Sequence, residues 1–110
     1  MATDPRKEML DVITKKIVTS LDPEKIILFG SHASGNASDD SDVDLLIITK
    51  TDLSPRKRIM KVSKLFRPRV VSMDILVRTP EEIDERLALD DFFIKEILTK
   101  GKVLYERRAS

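Results

Sequence analysis

The sequence predicts an α/β domain of two layers, in which a small mixed β-sheet is flanked by helices. Short apolar runs that are typical of buried strands alternate with longer segments whose apolar residues recur every three or four positions, as in amphipathic helices. The chain has 110 residues, which is enough for one hydrophobic core, so we expect a single domain over residues 1–110.

The first helix is expected over residues 5–20. Asp4 can cap it, and Pro5 stands at the first helical position, where proline is favoured. Asp22 and Pro23 end it. An apolar stripe at helical spacing gives this helix one buried face, formed by Leu10, Ile13, Ile17 and Leu21.

Two strands and a short connecting helix are expected next. Residues 25–29 are almost continuously apolar, which is typical of a central strand that is buried on both faces. A short helix over residues 31–34 is expected to end at Gly35, because glycine commonly follows the end of a helix. A polar loop then leads into a second strand over residues 42–49.

A basic helix follows from Ser54 and Pro55 to about Phe66, because a capping serine and a proline open it. Its inner face is predicted to contain Ile59, Val62, Leu65 and Phe66. Its outer face is predicted to be basic, with Arg56, Lys57, Arg58, Lys61, Lys64 and Arg67. Such a face is most often simply solvated, and the functional alternative is a contact surface for an acidic partner or for phosphates.

The last third of the chain predicts a strand, two helices and an edge strand. The strand covers residues 69–77, and Pro68 separates it from the preceding helix. Thr79 opens a capping box for a helix that reaches about Leu87. Asp90 or Asp91 caps a further helix over residues 92–100, and residues 103–105 add a short edge strand.

Asp42 and Asp44 stand at the start of the second strand, and alternation along a strand places both side chains on one face. Two adjacent carboxylates repel each other unless a cation lies between them. Mg²⁺ prefers one or two carboxylates together with substrate phosphates. Gly30 and Ser31, at the end of the first strand, would let the backbone approach such phosphates closely.

Asp74 is a lone acidic residue inside an apolar strand, where burying an unpaired carboxylate is costly. Taken by itself, it is best explained as an edge-strand residue that faces water. Beside Asp42 and Asp44, it becomes a candidate third member of an acidic site.

Composition narrows the function classes. A net charge of +1 gives no general argument for direct nucleic-acid or membrane binding. The absence of cysteine excludes disulfides and thiolate metal sites. No apolar run approaches the ~20 residues that span a bilayer, and the N-terminus has no signal-peptide pattern, so we expect a cytoplasmic protein.

The spacing of Gly30-Ser31, ten further residues and then Asp42-x-Asp44 resembles the polymerase β-like nucleotidyltransferase superfamily. Over nearly the whole chain, the sequence is similar to its smallest branch, the minimal nucleotidyltransferase (MNT) domains, which are antitoxin-type partners of HEPN-domain proteins. The resemblance implies that fold. It also implies that Asp42, Asp44 and Asp74 are the catalytic residues and hold two Mg²⁺ ions, while Gly30 and Ser31 bind the nucleotide phosphates. His32 and Ser34 depart from the family, in which basic residues are common.

The resemblance further implies transfer of a nucleoside monophosphate, AMP from ATP, to a hydroxyl group. Relatives that modify small molecules or RNA carry a further acceptor-binding domain, so we expect a protein acceptor: a tyrosine of a helical HEPN toxin in a hetero-oligomer. A non-catalytic antitoxin that covers a HEPN ribonuclease is the alternative from another class. A stand-alone nucleotidyltransferase acting on small molecules is the third possibility.

Overall fold

The computed structural model describes residues 5–35, 37, 42–66 and 72–108. Within them, four strands form one sheet in the order β3-β2-β1-β4. These strands are β1 (Lys25–Phe29), β2 (Val43–Ile48), β3 (Met73–Arg78) and β4 (Lys102–Glu106). Strand β1 is antiparallel to β2 and β4, whereas β2 and β3 are parallel, so the predicted mixed sheet is confirmed.

Helices cover both faces of this sheet. They are α1 (Pro5–Leu21), α2 (Ser31–Ser34), α3 (Pro55–Ser63) with a 3₁₀ turn (Lys64–Phe66), α4 (Pro80–Ala88) and α5 (Phe92–Lys100). Helices α1 and α3 pack on one face and α4 and α5 on the other. The α/β class is confirmed, and the sheet is the middle of three layers where the sequence predicts two. None of the described helices has both the length and the apolar character needed to cross a bilayer.

The middle strands are apolar on both sides because both faces are covered. In β1, Ile26 and Leu28 face the α1–α3 side, while Ile27 faces α4 and α5. All three side chains are almost fully buried, which confirms the predicted central position of β1. Strand β4 pairs only with β1 among the described strands and is the predicted edge strand.

Helix α3 corrects two predictions from the sequence. Arg58, predicted on the basic outer face, is 7% exposed, whereas Ile59, predicted on the inner face, is 40% exposed. Arg58 aligns with Val62 and Phe66 at helical spacing, and both of those are buried as predicted. Arg58 Nη1 donates to Glu82 Oε1 at 2.6 Å and its Nε donates to the Leu53 carbonyl at 2.8 Å, so its charge is compensated.

The remaining outer face of α3 and its 3₁₀ turn is basic, as predicted. We call Lys57, Lys61 and Lys64 the basic stripe, and all three are exposed. The stripe points away from the sheet on the α1–α3 side, because Val62 and Phe66 pack inward on that side. Arg67, predicted on the same face, lies outside the described residues.

Local capping signals are mostly confirmed. Thr79 and Glu82 form the predicted capping box of α4, and the Asp91 side chain accepts from the backbone N–H of Ile94 at the start of α5. Strand β2 begins at Val43, one residue after the predicted start, and β3 begins at Met73. Asp4 and the predicted start of β3 at residues 69–71 lie outside the described residues.

Candidate active site

The site is organised around the sharp turn at Gly30, where β1 ends and α2 begins. Gly30 has φ 73° and ψ −152°, a conformation that is essentially restricted to glycine. Its carbonyl accepts hydrogen bonds from the N–H groups of Ala33 and Ser34, at 3.2 and 3.1 Å. Because Gly30 alone connects the two elements, Ser31, the first residue of α2, lies one residue beyond the end of β1.

Gly30 also lies against Asp44 of the neighbouring strand. Asp44 pairs with Phe29 in the antiparallel register of β1 and β2. A Cβ atom added to Gly30 would lie 2.2 Å from Asp44 Oδ2, far inside van der Waals contact. Glycine is thus required twice at this position, once for the backbone turn and once for the room that the carboxylate occupies.

Asp74 lies beside Asp44 on the other side. The parallel register of β2 and β3 pairs Asp44 directly with Asp74, and neighbouring strands are about 4.8 Å apart. Both carboxylates are on the α4–α5 face of the sheet, since Leu46 and Leu76, two residues further along each strand, pack there. The structure thus brings together Gly30, Asp44 and Asp74, which lie at the end of β1 and on the adjacent strands β2 and β3.

The charges at the site act on one another. Burial raises the pKa of Asp44 above its usual value, and the carboxylates of Asp74 and then Asp42 raise it further. The charge on His32 acts in the opposite direction and lowers this pKa. Asp42, just before β2, is exposed to solvent and yet close enough to act on Asp44. The three carboxylates therefore create a negative electrostatic potential around Asp44, and His32 lies close enough to reduce it.

The acidic residues suit a hard divalent cation that is shared with a substrate. Among the described residues, no three His, Asp or Glu side chains lie close enough together to hold a metal ion. Mg²⁺ does not need three such side chains, because it takes one or two carboxylates and completes its octahedron with phosphate oxygens and water. Asp44 and Asp74, which the sheet pairs in register, therefore suit Mg²⁺ as two carboxylates beside which substrate phosphates would complete the coordination shell, although the structure does not bring Asp42, Asp44 and Asp74 together as a three-carboxylate metal site.

A cavity of about 280 Å³ adjoins the Gly30 turn, between α2 and α5. Its walls are mainly apolar, and the rings of Phe29 and Phe93 meet edge to face with their centroids 5.8 Å apart. Two charged residues of α5, Glu96 and Lys100, also line it. Nothing local in the sequence indicates that α5 returns to the end of β1, so Phe93, Glu96 and Lys100 could not be identified beside the site from the sequence.

Comparisons with known proteins agree with this geometry. Residues 12–110 match the family model described as polymerase beta, nucleotidyltransferase. Two proteins of Methanocaldococcus jannaschii that carry the provisional name protein adenylyltransferase are similar in sequence. One is 33% identical over 82 residues, covering 74% of this chain and 78% of the relative. The other is 35% identical over 98 residues, covering 86% and 93%.

A crystal structure of a toxin–antitoxin complex with AMP-PNP has the same fold. Its TM-score is 0.64 at 21% identity, and the match covers 90% of this chain and 74% of that one. The family model covers nearly the whole chain, including the Gly30 turn and the acidic residues that the sheet brings beside it. On this evidence, the chain belongs to the polymerase β nucleotidyltransferase family of enzymes.

Proposed function

We propose that this protein transfers a nucleoside monophosphate, AMP from ATP, to a hydroxyl group in a Mg²⁺-dependent reaction. The observation that carries the proposal is the contact between Gly30 and Asp44, with Asp74 paired to Asp44 in register. This arrangement sets a tight, open backbone turn against clustered carboxylates. A nucleoside triphosphate needs both, because its phosphates require hydrogen-bond donors and its negative charge requires a cation, which the carboxylates would hold.

Asp42, Asp44 and Asp74 would hold the metal, with two ions expected from the family resemblance. Bound Mg²⁺ would neutralise the charge on the triphosphate and on the attacking and leaving oxygens. The raised pKa of Asp44 supports this role, because its carboxylate lies where a cation is electrostatically favoured.

The chain's own groups would then position the reactants. The backbone N–H groups at Gly30 and Ser31 would donate to the β- and γ-phosphates, and Asp74 would accept the proton of the acceptor hydroxyl. The acceptor oxygen bonds to the α-phosphorus as the bond from that phosphorus to the bridging oxygen breaks, and pyrophosphate leaves. Positioning and electrostatic stabilisation account for most of the rate in this type of reaction.

We propose a protein as the acceptor, specifically a tyrosine of a HEPN-type toxin that the modification neutralises. The provisional names of the two archaeal relatives and the toxin–antitoxin complex of similar fold support this choice. A surface feature supports it as well. Leu89, Phe92 and Phe93 are 72%, 79% and 52% exposed, and Phe93 lines the cavity beside Gly30. Large exposed apolar side chains beside a site are typical of protein-binding surfaces.

Calorimetric titration with ATP tests the nucleotide and metal part of the proposal. We expect binding in Mg²⁺ and little binding in EDTA, since Asp42 and Asp44 otherwise repel the triphosphate. The variant Asp42→Asn/Asp44→Asn should lose the metal dependence while keeping a cooperative thermal transition. Equal affinity for ATP in Mg²⁺ and in EDTA would exclude the metal-site assignment.

Co-expression with the product of the neighbouring gene tests the acceptor. A stable complex in size-exclusion chromatography, with a partner that is heavier by whole AMP units in mass spectrometry, is the expected result. If the wild-type protein forms a stable complex with its partner but adds no AMP to it, the result would favour the non-catalytic antitoxin. Modification of a small molecule instead of the partner would refute the protein acceptor and leave the nucleotidyltransferase assignment standing.

A further inference from the structure

The cavity beside the Gly30 turn contains a positively charged residue that the family motif does not include. Lys100, the last residue of α5, lines this cavity together with Gly30 and Ser34. Among the described residues that line it, Lys100 is the one cation. An anion held at the Gly30 turn would therefore lie beside a cavity that Lys100 also lines.

The backbone of Lys100 is held in place beside β1. The following residue, Gly101, donates its N–H to the Ile97 carbonyl at 2.8 Å. A Cβ atom on Gly101 would lie 2.5 Å from Ile27 Cγ2 and 3.1 Å from the Leu28 carbonyl oxygen. The last turn of α5 is thus packed tightly against β1, close to the strand end that leads to Gly30.

The side chain of Lys100, in contrast, is free to change partner. Its Nζ lies 3.5 Å from Glu96 Oε1, at the long limit of a hydrogen bond, and the two side chains are 78% and 50% exposed. Such exposed pairs contribute little to stability, so an incoming phosphate can replace the carboxylate at little cost. Glu96 lines the same cavity, so it would compete with a bound anion for Lys100.

We propose that Lys100 binds the terminal phosphate of the nucleotide and that Glu96 holds its side chain when no nucleotide is bound. This inference rests on the proposed function, which puts the β- and γ-phosphates at Gly30 and Ser31. Lys100 is then a substrate-binding residue contributed by the C-terminal helix. On this proposal Lys100 distinguishes a triphosphate from a monophosphate, because a monophosphate lacks the terminal phosphate that Lys100 would bind.

Titration of Lys100→Met with Mg-ATP and with Mg-AMP tests this role. We expect affinity for ATP to fall about tenfold, the size of one charge-assisted hydrogen bond, and affinity for AMP to stay unchanged. Lys95→Met is the matched control, because Lys95 is an exposed lysine of the same helix that pairs with Asp90. Glu96→Gln should bind ATP as tightly as the wild type or more tightly, since it releases Lys100.

The possible outcomes distinguish the role of Lys100 from the proposed function as a whole. If the wild-type protein binds Mg-ATP and Lys100→Met binds it equally well, the role of Lys100 is wrong and the proposed function stands. Equal losses in Lys100→Met and Lys95→Met would show a general charge effect and would also refute the specific role. If the wild-type protein does not bind Mg-ATP, the proposed function itself fails, and the role of Lys100 fails with it.

Discussion

Replacing Gly30 with alanine should damage both the fold and the site, because two independent constraints meet at this residue. The first is the backbone. With φ 73° and ψ −152°, Gly30 is in a region where other residues are strained by about 1–3 kcal/mol. The second is steric. The new Cβ atom would lie 2.2 Å from Asp44 Oδ2, whereas ordinary contacts begin at 3.4 Å.

The new Cβ atom would displace the Asp44 carboxylate. We therefore expect Gly30→Ala to lose more activity than its reduced stability alone would explain. The carboxylate must shift by roughly 1 Å to restore an ordinary contact, and a displacement of that size at a catalytic group can cost about a hundredfold in rate. Gly35→Ala is the matched control. Gly35 also has a positive φ, of 81°, but nothing lies within 4 Å of its would-be Cβ atom. We expect it to lose about 1 kcal/mol of stability and to keep its affinity for Mg-ATP.

Thermal melts measure the loss of stability, while calorimetric titration with Mg-ATP and the rate of labelled-AMP transfer measure the loss of function. For a domain of this size, each kcal/mol should lower Tm by about 4 °C. In an Asp44→Ala background the clash is absent, so Gly30→Ala should then cost only its backbone strain. If Gly30→Ala and Gly35→Ala have the same Tm and the same affinity for ATP, the contact between Gly30 and Asp44 does not shape the site.

Three further predictions follow from charges in the structure. Asp44→Asn should be more stable than the wild type at pH 7, because burial and then the neighbouring carboxylates raise the pKa of Asp44 in the folded protein and so penalise its ionised form. In urea unfolding, this difference in stability should shrink as the pH falls through the raised pKa towards 3.8, the usual Asp value, and should not change further below it; a difference independent of pH would contradict this. Arg58→Met should lose about 2 kcal/mol in thermal melts, because it leaves Glu82 without its buried partner, while the exposed control Arg56→Met should lose almost nothing. Replacing the basic stripe with glutamine should leave Mg-ATP binding unchanged and slow association with an acidic partner at low salt, whereas unchanged association rates in stopped-flow mixing would exclude the stripe from the interface.

Elements that are encoded by local signals were predicted well. The capping box at Thr79 and the cap at Asp91 depend on residues three positions apart, so the sequence contains the whole signal. The burial of Arg58 could not be predicted in the same way. Its charge is compensated by Glu82, 24 residues further along the chain, and by backbone carbonyls that only the folded sheet brings near. From the helical pattern alone, Arg58 is therefore predicted to be exposed to solvent.

Strand alternation was enough to predict that Asp42 and Asp44 lie on one face, whereas the place of Asp74 beside them was expected from the family resemblance. The direct pairing of Asp44 with Asp74 is set by the register of β2 and β3, which the sequence alone does not fix. The α5 side of the cavity was not predictable. Phe93 and Lys100 reach the Gly30 turn only because α5 packs over β1 on the second face of the sheet, and the two-layer prediction contained no such helix layer.

Incorporation of labelled AMP into the co-expressed partner tests the central claim most directly. We predict label on a partner tyrosine with wild-type protein and Mg²⁺, and background incorporation with Asp42→Asn/Asp44→Asn or with EDTA. The double variant should still form the complex with the partner, which separates the loss of catalysis from a loss of binding. Incorporation at the wild-type rate by Asp42→Asn/Asp44→Asn would contradict the catalytic assignment of these carboxylates.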